Sequence, residues 1–176
     1  MVKTKTKKWV TAGVCLALAQ LLPMLTFQNQ QLGSMFSLMH IPVFVAGFAC
    51  GWPLGLAVGL AAPLLRSVMF GMPPLFPMAV AMSCELAVYG AAAGALYRAL
   101  PRRKPMIYAA LIGAMLAGRA VFGCAMALLL GATGSSYTWG AFLASAFTNA
   151  VPGIVCHILL VPLIVMALEK ARLVED

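Results

Sequence analysis

An all-helical bundle of six membrane spans, with both termini in the cytoplasm, is the fold this sequence predicts, and three observations carry it. Of its 176 residues, 63% are apolar and 9% are charged, against roughly a quarter charged in a soluble domain, so a water-facing surface cannot be assembled from them. Apolar runs long enough for helices of about 20 residues alternate with stretches rich in glycine, proline and uncharged polar residues. The basic residues are gathered at three places in the chain.

The first span follows Lys3, Lys5, Lys7 and Lys8 and covers residues 9–25. A lysine-rich start ahead of Ala17-Leu18-Ala19 mimics a cleavable signal peptide, but the apolar run continues through Leu21, Leu22, Met24 and Leu25, so the span is expected to be retained. Residues 26–37, carrying Gln28, Asn29, Gln30 and Gln31, form a polar loop, and a short second span covers 38–50. Gly51-Trp52-Pro53 turns the chain into a third span over 54–70, which Gly71-Met72-Pro73-Pro74 ends, because proline removes a donor and restricts its predecessor. The fourth span covers 77–97, the fifth 105–130 and the sixth 139–168, with an uncharged loop over 131–137. The whole chain, 1–176, reads as one six-helix domain, with a basic tail over 1–8 and a short tail over 169–176.

Charge fixes the orientation. Of the twelve Lys and Arg, ten lie in the N-terminal tail, in the link holding Arg98, Arg102, Arg103 and Lys104, or at Lys170 and Arg172, while the loops after spans one, three and five carry none. Six crossings with both ends inside satisfy the positive-inside rule at every loop. The formal charge of +8 is therefore a matter of topology and of contact with anionic lipid, and nucleic acid is not an expected partner. Small residues recur every four positions at Gly51, Gly55, Gly59, Pro63, Ser67 and Gly71, and again at Gly90 and Gly94, as closely packed membrane helices require. The five cysteines, Cys15, Cys50, Cys84, Cys124 and Cys156, all lie in apolar stretches with no Cys-x-x-Cys pair and read as small packing residues.

Three ionisable residues, Arg66, Glu85 and Arg119, fall well inside the spans. Each costs about 2.5–3.5 kcal/mol at a helix centre unless it is compensated. The topology puts them in the outer half of the bundle with Asn149 of span six and with His40 at the outer start of span two. Glu85 can neutralise one arginine but not both, so the group reads as an anion-accepting pocket, or else as an ion pair that fixes helix register. Which arginine Glu85 holds stays open. His157 lies deeper, without a carboxylate or cysteine at ligand spacing, and no metal, cofactor or catalytic residue is expected. No Gly-x-x-x-x-Gly-Lys-Ser/Thr loop is present to hold ATP.

Met39-His40-Ile41-Pro42-Val43, the glycine ladder, Pro63-Leu64-Leu65-Arg66-Ser67, Gly71-Met72-Pro73-Pro74 and Glu85-Leu86 together resemble the substrate-binding (S) component of energy-coupling factor (ECF) vitamin transporters, nearest the branch for pantothenate, folate and riboflavin. The similarity is closest over residues 32–97, and the six-helix layout agrees throughout. The resemblance implies capture of a vitamin from outside, in the bacterial cytoplasmic membrane, by a subunit that works with a transmembrane coupling subunit and two ATPases on separate chains. It places the substrate in the outer half, with Arg66, Glu85, Arg119, Asn149 and His40 as binding residues, and pantothenate is the first choice because one carboxylate suits one surplus arginine. Family members commonly dock through Ala-x-x-x-Ala on the first helix, which this chain lacks. Gly13 with Ala17, or Cys15 and Ala19 with Thr11, are the substitutes, and they lie on nearly opposite faces. An integral membrane enzyme on a lipid or isoprenoid substrate and a membrane scaffold protein are the competing readings.

Overall fold

The structure is a computed structural model and describes residues 2–26, 37–101, 103–134, 138, 140, 151–171 and 174. Among these, six α-helices and no strand occur: α1 (Val2–Leu21), α2 (His40–Cys50), α3 (Trp52–Phe70), α4 (Val80–Ala99), α5 (Lys104–Ala132) and α6 (Val151–Lys170). Leu22–Thr26 continues α1 as a tighter turn, and Leu75–Ala79 leads into α4 across a kink where Phe76 is extended (φ −118°, ψ 136°). The all-α polytopic architecture holds: Trp52–Phe70, Leu75–Ala99, Lys104–Ala132 and Val151–Lys170 are each long and apolar enough to cross a membrane.

Among the described residues the start of α1 departs from its expected bound by more than a few positions, and α2 is short as expected. Helix α1 begins at Val2, so the basic tail is helical, because nothing between Val2 and Trp9 breaks a helix and lysine is a good helix former. Helix α2 has 11 residues and rises only about 16 Å, near half of the roughly 30 Å hydrocarbon thickness. All eleven of its residues are buried. It packs against α1, α3, α4 and α6, so protein surrounds it where lipid would otherwise meet its ends.

Hydrogen bonds between elements fix their relative direction. The Cys50 thiol donates to the Lys8 carbonyl oxygen at 3.4 Å, and the Tyr97 hydroxyl donates to the Glu169 carboxylate. The start of α1 and the ends of α2, α4 and α6 therefore share one end of the bundle, and it is the end that carries the basic clusters. There Gly51 joins α2 to α3 at φ 92°, ψ 172°, a conformation open to glycine alone. A Cβ on Gly51 would fall 2.5 Å from Nη2 of Arg98, which sits in the last turn of α4 and brings its charge to the negative end of α2.

Where α3 crosses α4, glycine is required for a different reason. A Cβ on Gly55 would lie 2.5 Å from the Gly90 carbonyl oxygen, and one on Gly59 would overlap the backbone of Leu86 and Ala87. The four-residue stripe is thus the seam that brings two backbones into contact. By contrast, nothing lies within 4 Å of a Cβ placed on Gly13. Gly55→Leu should accordingly destabilise the detergent-solubilised protein by at least about 1–3 kcal/mol through overpacking, whereas Gly13→Leu should melt with the parent. Thermal denaturation followed by circular dichroism checks the pair, and equal melting would place the seam elsewhere.

Candidate functional site

The buried polar residues gather in two centres, both toward the end of the bundle opposite the basic clusters. In the first, Glu85 of α4 meets Arg119 of α5 with Nη1 at 3.0 Å from Oε1. Tyr89, one turn further along α4, donates its hydroxyl to the same Oε1 at 2.6 Å. The arrangement follows from local sequence. Positions four apart share a helix face, and Gly118, beside Arg119, leaves room for the Tyr89 ring, which any side chain at 118 would strike. Glu85 is 2% exposed, and at that burial removing one partner leaves an uncompensated charge. Nε of Arg119 is itself buried without an acceptor among the described residues.

Two histidines extend this centre. Nδ1 of His40, at the start of α2, lies 2.9 Å from the Ser37 carbonyl oxygen, and Nε2 of His157, on α6, lies 3.2 Å from the same oxygen. A carbonyl only accepts, so each of these nitrogens carries a proton, which leaves the other nitrogen of each neutral ring as an acceptor. The two rings stack with centroids 5.5 Å apart, Tyr89 lies 5.5 Å from His40, and Phe44 lies 4.7 Å from Tyr89. Helices α2, α4, α5 and α6 are thereby pinned together. Among the described residues no three of His, Cys, Asp and Glu come close enough to hold a metal ion.

The second centre joins α3 to α1. Arg66 donates from Nη1 to the Gln20 carbonyl oxygen at 2.8 Å, in the last turn of α1, where the helix dipole is negative. Its guanidinium also lies 5.2 Å from the Phe70 ring centroid. The side chain of Gln20 donates from Nε2 to the Ala62 carbonyl oxygen of α3 at 3.1 Å, while its Oε1 is buried with no partner among the described residues. Arg66 is 6% exposed, and no carboxylate pairs with it among the described residues. The α3–α4 register, with Gly55 across from Gly90 and Gly59 across from Leu86, sets Arg66 about six residues beyond Glu85, or about 9 Å along the bundle axis.

The residues singled out from sequence therefore divide. Glu85, Arg119 and His40 belong to the first centre and Arg66 to the second, while Asn149 lies outside the described residues. The question of which arginine Glu85 holds is answered: it is Arg119. Sequence reasoning set His157 aside and passed over Tyr89, Phe44 and Gln20. Of these, Tyr89 carried a usable signal, a phenol four residues from a membrane-embedded carboxylate. On α1, Cys15 and Ala19 pack inward with Ala12, and Gly13 and Ala17 face away from the bundle.

Chemically, the first centre is a charge-balanced pair in which Nε–H of Arg119 is unused, and the second is a buried cation with no carboxylate partner among the described residues. Comparison with known proteins adds one finding. The family model for the ECF transporter, substrate-specific component, matches residues 7–165. Neither the curated proteins nor the solved structures give a match.

If Glu85 and Arg119 form one unit, each single change, Glu85→Gln or Arg119→Gln, should cost about 3–5 kcal/mol, and the double change much less than their sum. A double-mutant cycle in detergent measures the coupling. Additive losses would mean that the two groups act separately.

Proposed function

Because the chain belongs to the family of substrate-specific components of ECF transporters, we propose that it captures a small anionic vitamin, pantothenate foremost, at the outer face of the bacterial cytoplasmic membrane. A subunit of this kind is not an enzyme. It binds substrate and works with a transmembrane coupling subunit and ATPases that are separate chains. The observation that carries the anionic substrate is Arg66, a buried guanidinium with one N–H given to a backbone carbonyl and no carboxylate partner among the described residues. Glu85 is committed to Arg119, which leaves Arg66 as the cation available to a carboxylate. A buried cation of this kind is maintained most easily when an anion reaches it.

On this reading the first centre is the polar floor of the site. His40 and Arg119 offer hydrogen bonds to the uncharged part of the substrate, with Asn149 proposed as a further contact. Folate, riboflavin phosphates and related acids share the anionic group and are the nearest alternatives. Docking is assigned to the Gly13–Ala17 stripe, because it lacks side-chain bulk and faces out of the bundle, whereas Cys15 and Ala19 are committed to packing inside it.

Two measurements test this. Calorimetry with pantothenate should show a loss of affinity greater than a hundredfold in Arg66→Gln, equivalent to about 3 kcal/mol, with part of it restored by Arg66→Lys. Unchanged binding would make the arginine structural. Separately, Ala17→Leu should leave binding by the isolated chain intact while abolishing cellular uptake and co-purification with the coupling subunit, since close helix approach depends on the missing volume. Normal uptake in that variant would move docking off α1.

A further inference from the structure

One polar atom in the second centre has no hydrogen-bond partner among the described residues. Gln20 is 9% exposed, and its side-chain nitrogen is used on the Ala62 carbonyl. That bond fixes the orientation of the amide, since turning it over would set oxygen against oxygen. Oε1 is consequently left buried with no donor among the described residues. Burying an unmatched acceptor is costly, and native structures rarely keep one without a partner arriving from elsewhere. The same residue receives Nη1 of Arg66 on its backbone carbonyl, so a lone acceptor and an under-used cation are joined within one amino acid. The remaining guanidinium N–H groups can take an anionic or carbonyl oxygen, and Oε1 can take an O–H or N–H.

We infer that Gln20 is a specificity-determining residue whose Oε1 accepts a hydrogen bond from the substrate, so that the substrate carries an O–H or N–H donor close to the anionic group that Arg66 holds. The ligand class that follows is a hydroxy acid or an N-acyl amino acid, in preference to a plain alkyl carboxylate. This rests on the reading of Arg66 as the anion site and narrows it. Pantothenate fits the class through its amide N–H and hydroxyls. Lipoate, a carboxylate with neither O–H nor N–H beside its anionic group, does not.

The test uses the full-length, detergent-solubilised chain with these two acids as probes, titrated by calorimetry into the wild type, Gln20→Met and Arg66→Gln. Methionine keeps the length and shape of glutamine and removes the acceptor. The expected result is that the wild type prefers pantothenate to lipoate, that Gln20→Met loses at least about tenfold in pantothenate affinity, and that lipoate binding does not change. With no solute present, the Gln20→Met variant should melt within about 4 °C of the parent, because the loss of the Nε2 bond to Ala62 is offset by removal of the unmatched acceptor. A larger fall in Tm in the absence of solute would show that the Gln20 amide serves the fold beyond its single bond to Ala62 and would overturn the inference. Unchanged pantothenate affinity in Gln20→Met would do the same. If the wild type binds both acids equally and Arg66→Gln binds neither, the donor requirement fails while the anion site stands. If the wild type binds neither acid, both readings fall together.

Discussion

Helix α2 is too short to span a bilayer and too apolar to end in water, and much of the architecture answers that constraint. With eleven residues, all buried, it must be enclosed by full-length neighbours, because lipid offers its terminal N–H and C=O groups no partners. Its basic-end terminus meets Arg98 of α4 across Gly51. Its other terminus stops partway along the bundle, where the Ser37 carbonyl is gripped by His40 of α2 and His157 of α6. The glycine seam of α3 on α4 lets those two helices close on each other beside it. The first polar centre lies beside the opening turns of α2, where His40 and Phe44 meet Tyr89, and the second, Arg66 with Gln20, joins α3 to α1.

Electrostatics then separates the two arginines. A carboxylate can balance one guanidinium, and Glu85 is tied to Arg119 by geometry: the missing side chain at Gly118 admits the Tyr89 ring, and the Tyr89 hydroxyl orients the carboxylate toward α5. Arg66 lies about 9 Å away along the axis and receives instead the partial negative charge at the end of α1 and the face of Phe70. Both are weaker than a formal charge. The cost of burying Arg66 is therefore only partly met by the protein, and an anionic ligand would meet the rest.

Much of the fold was legible in the sequence because membrane topology is written in coarse variables. Apolar length, proline and glycine breaks and the position of lysines identified six helices, and the Gly51 to Ser67 stripe was readable as a packing seam. Contacts set by helix rotation were not legible. Whether Glu85 faces Arg66 or Arg119 turns on a glycine beside one of them. Whether His157 meets His40 depends on the face that α6 presents, and a single-residue rotation of about 100° would break the pair. Gln20 was invisible for a related reason: a lone glutamine at a helix end reads as an interfacial residue until its neighbour on α3 is known. The depth ordering that grouped Arg66 with Glu85 was a statement about height alone, and two residues at comparable depth can face different partners.

Helix α1 makes these separate facts into one mechanical arrangement. Its inward face, Ala12, Cys15, Ala19 and Gln20, is packed into the bundle, and the last of these residues holds the guanidinium of Arg66 through its carbonyl. Its outward face carries Gly13 and Ala17, both exposed. Seven residues separate Gly13 from Gln20, about two turns or 10 Å of rigid helix, so a displacement of one end is carried to the other with little loss. On the proposed reading, the helix that meets the coupling subunit is also the one whose last-turn carbonyl positions Arg66, the cation that receives the substrate. A docking event that tilted α1 by even a small angle would lengthen the bond from Arg66 to Gln20 and change how strongly that cation is held for the substrate. Affinity for an anion and engagement of a partner would then be linked through a single hydrogen bond at the end of one helix, without any rearrangement of the glycine seam or of the Glu85–Arg119 pair.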